Sequence, residues 1–532
     1  MTLERIEYTR MQNNVKDIAG ERQAFETLKP RLVSIWQSLQ NDEAYEHTSV
    51  IVPSLSVNQD ELAKITGAPF YEERLLFALI RLKNPNARVI YVTSQPVHPD
   101  IVEYYLDLLP GVPGYHARKR LEMLSVYDAS SRPLSLKMLE RPRFLSRLRK
   151  MIGDPQRAYL TAYNCTDLER RLAVALDVPL NGVDPDLLYH GTKSGSRKIF
   201  RDIGIAVPDG VEDLNSEQQI ITALAELQAS HPEIRKAVIK LNDGFAGEGN
   251  GVFEYPGNEA SRKSISASLR EMKWPSGQEQ YRPFLSKFAD MGGVVEEMID
   301  ADEVRSPSVQ MRIYPDGQSA LVSSHEQVLG GATGQAYLGC RFPASEEYRQ
   351  QLQRDSEKIG NVLSRAGVVG RFGIDFLVCR SGDGPWSTFA IEINLRMCGT
   401  TPPFHALEFL TGGQLDTGTG LFEAPDGRQK FYVATDNLKS PSYRGLLPED
   451  LLEIASRNGL SFDHGTDTGV LFYMLGALSQ YGKLGMTCIG NSIEEADELF
   501  SRTVRTLDER TRGDADDHGE MQPLLDKKPE ME

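Results

Sequence analysis

The sequence predicts an α/β chain of several domains, and three observations carry that prediction. Strands and helices alternate between residues 49 and 163, a pattern that favours a parallel sheet covered by helices on both faces, a doubly wound arrangement. A short apolar strand then runs into a glycine loop and a second strand between residues 237 and 253. Further on, two adjoining strands bring Asp375, Glu392 and Asn394 together. A chain of 532 residues is long enough for about three or four domains with substantial cores.

Residues near Leu3 to Leu39 read as one or two amphipathic helices broken at Pro30, an N-terminal helical segment over residues 1–45. Strands follow at Ser49–Leu55 and Arg88–Thr93, separated by a helix from Tyr71 to Leu82. A helix from Asp100 to Leu109 and strands at Leu121–Tyr127 and Ala158–Tyr163 complete an α/β domain over 46–187. His98 follows the C-terminal end of a strand, where open sheets bind ligands, and reads either as a substrate contact or as a surface-loop histidine. Beyond residue 422, a strand at Lys430–Ala434, a helix at Pro448–Asn458 and the apolar Val470–Leu478 make a small C-terminal α/β domain over 423–508. His464 lies beside Asp463 and Asp467, but no nucleophile motif accompanies it, so it reads as structural. The charged residues 509–532 cannot bury much apolar surface and are expected to form a disordered acidic tail.

Bulk properties exclude several classes. Hydrophobic residues make up 40% and charged residues 25%, and the mean hydropathy is −0.37. No apolar run reaches the length of a membrane span. The segment Met1–Tyr8 lacks a basic flank and an apolar core, so no secretory signal is expected and the protein is expected in the cytoplasm. Five cysteines are scattered without Cys-x-x-Cys spacing, which argues against disulfides and zinc. The formal charge of −16 repels nucleic acid and anionic lipid.

Candidate chemistry sits in two places. In Phe389–Arg396, residues two apart share a strand face, so Glu392, Asn394 and Arg396 emerge together while isoleucine and leucine alternate. With Asp375 from Gly370–Val378, they offer carboxylate and amide oxygens suited to Mg²⁺, with Mn²⁺ as a substitute. An acidic strand end facing solvent would share this spacing. The second place is Asn242–Gly251, where Gly244, Gly247, Gly249 and Gly251 let backbone N–H groups turn towards an anion, and Lys240 on the entering strand adds a point charge. It is not a Walker A loop, and an ordinary glycine-rich hairpin would read the same way.

In chain order, His190–Ser194 leads through Arg197–Asp202 to Gly204–Pro208, Lys240 precedes the glycine loop, Val294–Glu303 is a glutamate-rich strand, and Glu392-Ile-Asn-Leu-Arg396 closes the series. This order resembles the ATP-grasp superfamily over roughly residues 188–413, and places a nucleotide-binding core at 188–422. The resemblance implies that Lys193 and Lys240 bind ATP phosphates, with Lys198 and Arg201 as nearby alternatives. It implies that Glu296, Glu297, Met298 and Ile299 bracket adenine and that Glu303 takes ribose. Cys398–Gly413, Gly469–Leu478 and Gly482–Gly485 further resemble the pheganomycin-type peptide ligases, which carry a pre-ATP-grasp domain and a small C-terminal domain; Pro402 departs from their pattern.

The activity so implied is carboxylate–amine ligation through an acyl phosphate, with ATP, a carboxylate and an amine, an amino acid or peptide, as reactants. Arg396 would steady the acyl phosphate and oxyanion, with Arg371 and Arg305 as second catalytic candidates, and Gly399, Thr400 and Thr401 would meet the substrate carboxylate. The alternatives are a carboxylate kinase or carboxylase-like enzyme and a non-catalytic ATP-binding regulatory module.

Overall fold

The structure, a computed structural model, describes residues 3–57, 62, 65–244, 249–257, 260–274, 280–330 and 336–511, with 3–18 as backbone only. The chain divides into two compact units, one comprising Met1–Pro185, Ile313–Gln318 and Val368–Gly370, the other Asp186–Arg312, Ser319–Gly367 and Arg371–Glu532.

In the first unit, β1 (His47–Val52), β2 (Ala87–Thr93), β3 (Leu121–Ser125) and β4 (Ala158–Ala162) form a parallel sheet in the order β3-β2-β1-β4. Every residue of β1 and β4 is buried, as expected for strands covered on both faces. Val50, Val52, Ile90, Val92 and Leu160 pack against Leu148, Leu172 and Leu176 from the helices Pro142–Ile152 and Asp167–Leu176. Pro30 does not break the first helix, which runs unbroken from Leu3 to Asn41. Proline costs about 3 kcal/mol inside a helix, but Phe25, Leu28, Leu32 and Ile35 bury their side chains on either side of it, and that packing holds the helix together.

The second unit holds two sheets. β5 (Gly210–Leu214), β6 (Lys236–Leu241), β7 (Asn250–Glu254) and β8 (Gly293–Glu297) pair antiparallel in the order β5-β8-β6-β7. Leu224, Ile239, Phe253, Phe284, Phe288 and Val295 form the core beneath them. β6 and β7 flank the glycine loop, with Lys240 opposite Asn250.

The larger sheet has eleven strands: β9 (Glu303–Arg305), β10 (Pro307–Ile313), β11 (Ser319–Gly330), β12 (Ala336–Phe342), β13 (Gly370–Arg380), β14 (Ser387–Asn394), β15 (Gln414–Asp416), β16 (Leu421–Glu423), β17 (Gln429–Lys439), β18 (Gly469–Tyr473) and β19 (Lys483–Gly490). Its main path is β14-β13-β10-β11-β12-β17-β16-β15, with β9 on β13, β19 on β17 and β18 on β19. The C-terminal segment therefore extends this sheet through β17, β18 and β19 instead of building a sheet of its own. The helix Ile493–Thr511 covers β17 and β19 and runs past the boundary expected at residue 508; the expected tail from 512 onward lies outside the described residues. No helix among the described residues is long and apolar enough to cross a membrane.

Candidate active site

β13 and β14 pair antiparallel with Asp375 opposite Glu392 and Gly373 opposite Asn394, and a bulge follows Asp375. Alternation along β14 buries Ile393 and turns Glu392 and Asn394 to the other face. The three predicted ligands meet there. Asn394 Nδ2 donates to Asp375 Oδ2 at 2.9 Å and to Glu392 Oε1 at 3.3 Å. Gln327 Nε2, on β11, donates to Asp375 Oδ1 at 2.8 Å. Gln327 carries no local sequence signal, because only the strand order brings β11 close. Burial and the neighbouring Glu392 charge push the Asp375 carboxyl up; burial also pushes Glu392 up, but Lys193, Lys240 and Arg396 outweigh it and hold Glu392 ionised. Two crowded carboxylates with an amide between them suit a hard divalent cation.

Lys193 opens the helix Lys193–Asp202, whose N-terminus is capped by Thr192 Oγ1 accepting from Gly195 N at 3.0 Å. A Cβ at Gly195 would lie 1.9 Å from the Tyr189 carbonyl oxygen, so only glycine fits this turn. Lys193 Nζ reaches Glu392 Oε2 at 2.6 Å. One turn on, Arg197 is buried and donates from Nη1 to Glu296 Oε1 at 2.8 Å and to the Pro208 carbonyl at 2.8 Å. Lys240 pairs with the other Glu296 oxygen. Burial pushes Glu296 up, yet Lys240 and Arg197 outweigh it and keep it ionised. Lys193, Arg197 and Lys240 thus converge as one charge network, while Lys198 pairs with Asp213 and Arg201 with Glu212 near the surface.

The segment Val294–Glu303 is more committed than its sequence suggests. Glu296 points into that buried network, Glu297 Oε1 accepts from Asp209 N at 3.0 Å, and Met298 N donates to the Lys236 carbonyl at 3.2 Å. The Glu296 and Glu297 side chains and the Glu297 and Met298 N–H groups are therefore already engaged within the protein. Glu303, expected at ribose, is gripped by Arg305 and by Arg380 Nε at 2.7 Å. Arg305 does not join Asp375 and Glu392: it sits opposite Val378, and with Arg380 it covers Trp386, the two guanidinium carbons 4.9 and 4.5 Å from the ring centroid. The Thr400 and Thr401 hydroxyls also depart from expectation. Gln310 Nε2 donates to Thr400 Oγ1 at 2.9 Å and Thr401 Oγ1 donates to Gln310 Oε1 at 2.8 Å, so both are buried and already paired. Gly399 packs under Tyr337, whose ring a Cβ there would approach to 2.9 Å.

Arg371 lies four residues before Asp375 on β13 and acts on His405 and Glu408, whereas the charge of Arg396 bears on both Asp375 and Glu392. Gly244 and Gly249 flank the glycine loop, Gly249 at φ 80°, and Gly247 lies outside the described residues. His98 Nδ1 accepts from Asp100 N at 3.4 Å and caps the helix Pro99–Asp107. His464 meets Phe462 edge to face.

Residues 187–273 and 262–418 match the family described as "IQCH-like, ATP-grasp", and residues 450–503 match "PGM1 C-terminal domain". The chain is 29% identical to L-propargylglycine–L-glutamate ligase of Streptantibioticus cattleyicolor over 474 residues, 86% of this chain and 94% of that protein. It is 22% identical to IQ motif-containing protein H of Danio rerio over 542 aligned positions, 92% of this chain but only 51% of that protein. Biotin carboxylase from Campylobacter jejuni superposes with a TM-score of 0.54 at 12% identity, over 87% of this chain and 92% of that one, a likeness of fold alone.

Proposed function

We propose that this chain is an ATP-grasp enzyme, an ATP-dependent carboxylate–amine ligase that joins amino acids or peptides through an acyl phosphate. The observation that carries this reading is the meeting of Asp375, Glu392 and Asn394 with Lys193 on one face of β13 and β14. Mg²⁺, or Mn²⁺ in its place, held by those three residues, would supply charge neutralisation at the β- and γ-phosphates.

The remaining steps belong to the chain's own side chains. Lys193 and Lys240 offset charge on the phosphates, and the backbone on either side of the glycine loop faces them. A substrate carboxylate oxygen attacks the γ-phosphorus; the new O–P bond forms as the bond to the β–γ bridging oxygen breaks, and ADP leaves with that electron pair. The amine lone pair then attacks the acyl carbon, the C–N bond forms, the bond to the phosphate oxygen breaks, and the amine's surplus proton leaves with phosphate or water. Arg396 steadies the oxyanion between these events with its planar fork. No enzyme nucleophile is required. The name of the Streptantibioticus relative, a ligase of two amino acids, supports amino-acid substrates here. The five cysteines are thiols, four of them buried, which fits a reducing compartment such as the cytoplasm.

Hydroxylamine tests the reading. With Mg·ATP and a panel of L-amino acids and short peptides, the protein should release phosphate and convert a carboxylate to a hydroxamate. Hydroxamate with no amide from any amine would favour a carboxylate kinase, ATP turnover with no hydroxamate from any acid would rule out an acyl phosphate of those acids, and no turnover would favour a regulatory ATP-binding role.

A further inference from the structure

The four carboxylate oxygens of Asp375 and Glu392 are all engaged by side chains of the protein itself. Asp375 Oδ1 accepts from Gln327 Nε2 at 2.8 Å, and Oδ2 accepts from Asn394 Nδ2 at 2.9 Å. Glu392 Oε1 accepts from the same Asn394 nitrogen at 3.3 Å, and Oε2 accepts from the Lys193 ammonium at 2.6 Å. Gln327 and Asn394 are neutral amides, whereas Lys193 brings a full charge. Arg396 adds a second positive charge that bears on both carboxylates. Two carboxylates thus meet two cationic side chains, which leaves little net charge to attract a dication.

The donors differ in what they can do for an arriving cation. Asn394 carries an amide oxygen that a half-turn of its amide would present in place of Nδ2. Lys193 has three donors and no acceptor, so it can only compete. An ammonium and a dication on one carboxylate are like charges at contact range and repel each other. Lys193 is built to give way. Its backbone is fixed, because Lys193 N donates to the Asn242 carbonyl at 3.3 Å and Ser194 N donates to Asn242 Oδ1 at 3.0 Å. Beyond Cα the side chain is a flexible four-carbon stem. Asn242 follows β6 and opens the glycine loop, so Lys193 spans from the first residue of that loop to Glu392.

We propose that Lys193 is an internal counter-ion that changes partner: it neutralises Glu392 until nucleotide phosphates draw its ammonium away, so that Glu392 opens to a divalent cation only when a nucleotide comes with it. This rests on the Mg·ATP part of the ligase reading and adds a requirement for joint entry. ATP alone is disfavoured by the same exchange, because Lys193 in leaving would expose two adjoining carboxylates to the phosphates. Nucleotide and cation therefore raise each other's affinity. One consequence runs against simple expectation: removing a positive residue from a nucleotide site should make the protein by itself bind the cation better.

The test titrates the full-length protein with Mn²⁺ in the absence of nucleotide and reads free Mn²⁺ from its paramagnetic resonance signal. Wild-type protein should bind at Glu392 with a Kd weaker than about 0.5 mM, and Lys193→Met should bind one Mn²⁺ at least about tenfold more tightly. Lys193→Arg keeps the charge and should behave as wild type. Combining Glu392→Gln with Lys193→Met should abolish the gain, which places the ion on Glu392. The thermal midpoint with and without Mn²⁺ gives a second readout, and Lys193→Gln repeats the comparison should the Met variant unfold. Mn²⁺ binding to wild-type protein tighter than about 0.5 mM and lost in Glu392→Gln overturns the proposal without any lysine variant. A folded Lys193→Met or Lys193→Gln protein that binds Mn²⁺ no more tightly than wild type overturns it as well. With ATP and Mn²⁺ together, wild-type protein should take up both. If it takes up neither, the nucleotide reading itself has failed, a result distinct from joint binding with no gain in the lysine variants.

Discussion

Glu392 faces Asp375 across the strand pair and holds the Lys193 ammonium at 2.6 Å, so one carboxylate joins the proposed cation site to the proposed phosphate lysine. Glu392→Gln keeps the shape and removes the charge. Mg²⁺-dependent phosphate release should fall by at least about a thousandfold, and turnover within tenfold of wild type would remove Glu392 from the site. Arg197 acts at one remove. Its guanidinium and the Lys240 ammonium share Glu296, and without Arg197 that buried carboxylate loses one of these two charge partners. Arg197→Met should therefore raise KM for ATP by about tenfold or more, with kcat less affected, and destabilise the second unit by about 3 kcal/mol because Glu296 loses a partner. Arg197→Lys should recover part of the KM, a rescue that loss of packing alone would not show.

At the scale of elements, the end of β2 is tied to the helix Leu134–Leu139 through a buried polar set. Glu72 accepts from Ser94 N at 2.5 Å and from Ser94 Oγ at 2.6 Å, and Lys137 Nζ donates to Ser94 Oγ at 2.8 Å and to the Asp128 carbonyl at 2.9 Å. Burial pushes Glu72 up to about 7 against the pull of Ser94 and Lys137. The folded form then binds a proton more tightly than the unfolded chain, so this contribution is full below about pH 4.5 and is lost as pH rises to about 7. The first unit should lose up to about 3 kcal/mol of stability from this group across that window. Glu72→Gln should flatten the profile of denaturant midpoint against pH, and an unchanged slope would assign the dependence elsewhere. The sequence brought Asp375, Glu392 and Asn394 to one face because alternation is local, and singled out Lys193 because a helix start marks it. Gln327 and the Arg197–Glu296 pair were hidden, because 48 residues separate Gln327 from Asp375 and 99 separate Arg197 from Glu296. Pro30 misled because tertiary packing outweighed its local cost, and the hydroxyls of Thr400 and Thr401 misled because Gln310 lies about 90 residues upstream. The continuation of the core sheet through β17–β19 was invisible for the same reason: local patterns give strands, not their neighbours.

For the molecule as a whole, the cleft residues predict that Mg·ATP binds the folded second unit and not the unfolded chain. Saturation at a hundredfold excess over Kd should stabilise that unit by about 2.7 kcal/mol, read as a rise in its thermal midpoint. The rise should depend on Mg²⁺ in the wild-type protein and lose that dependence in Glu392→Gln. The central claim is that the substrate carboxylate is activated as an acyl phosphate, and isotope transfer reads that event directly. The accepted acid is labelled with ¹⁸O in both carboxylate oxygens, and the released phosphate is analysed by mass spectrometry after amide formation. An acyl phosphate requires one ¹⁸O to pass into phosphate for each amide bond formed. Amide formation with unlabelled phosphate, or with AMP and pyrophosphate as products, would contradict the account.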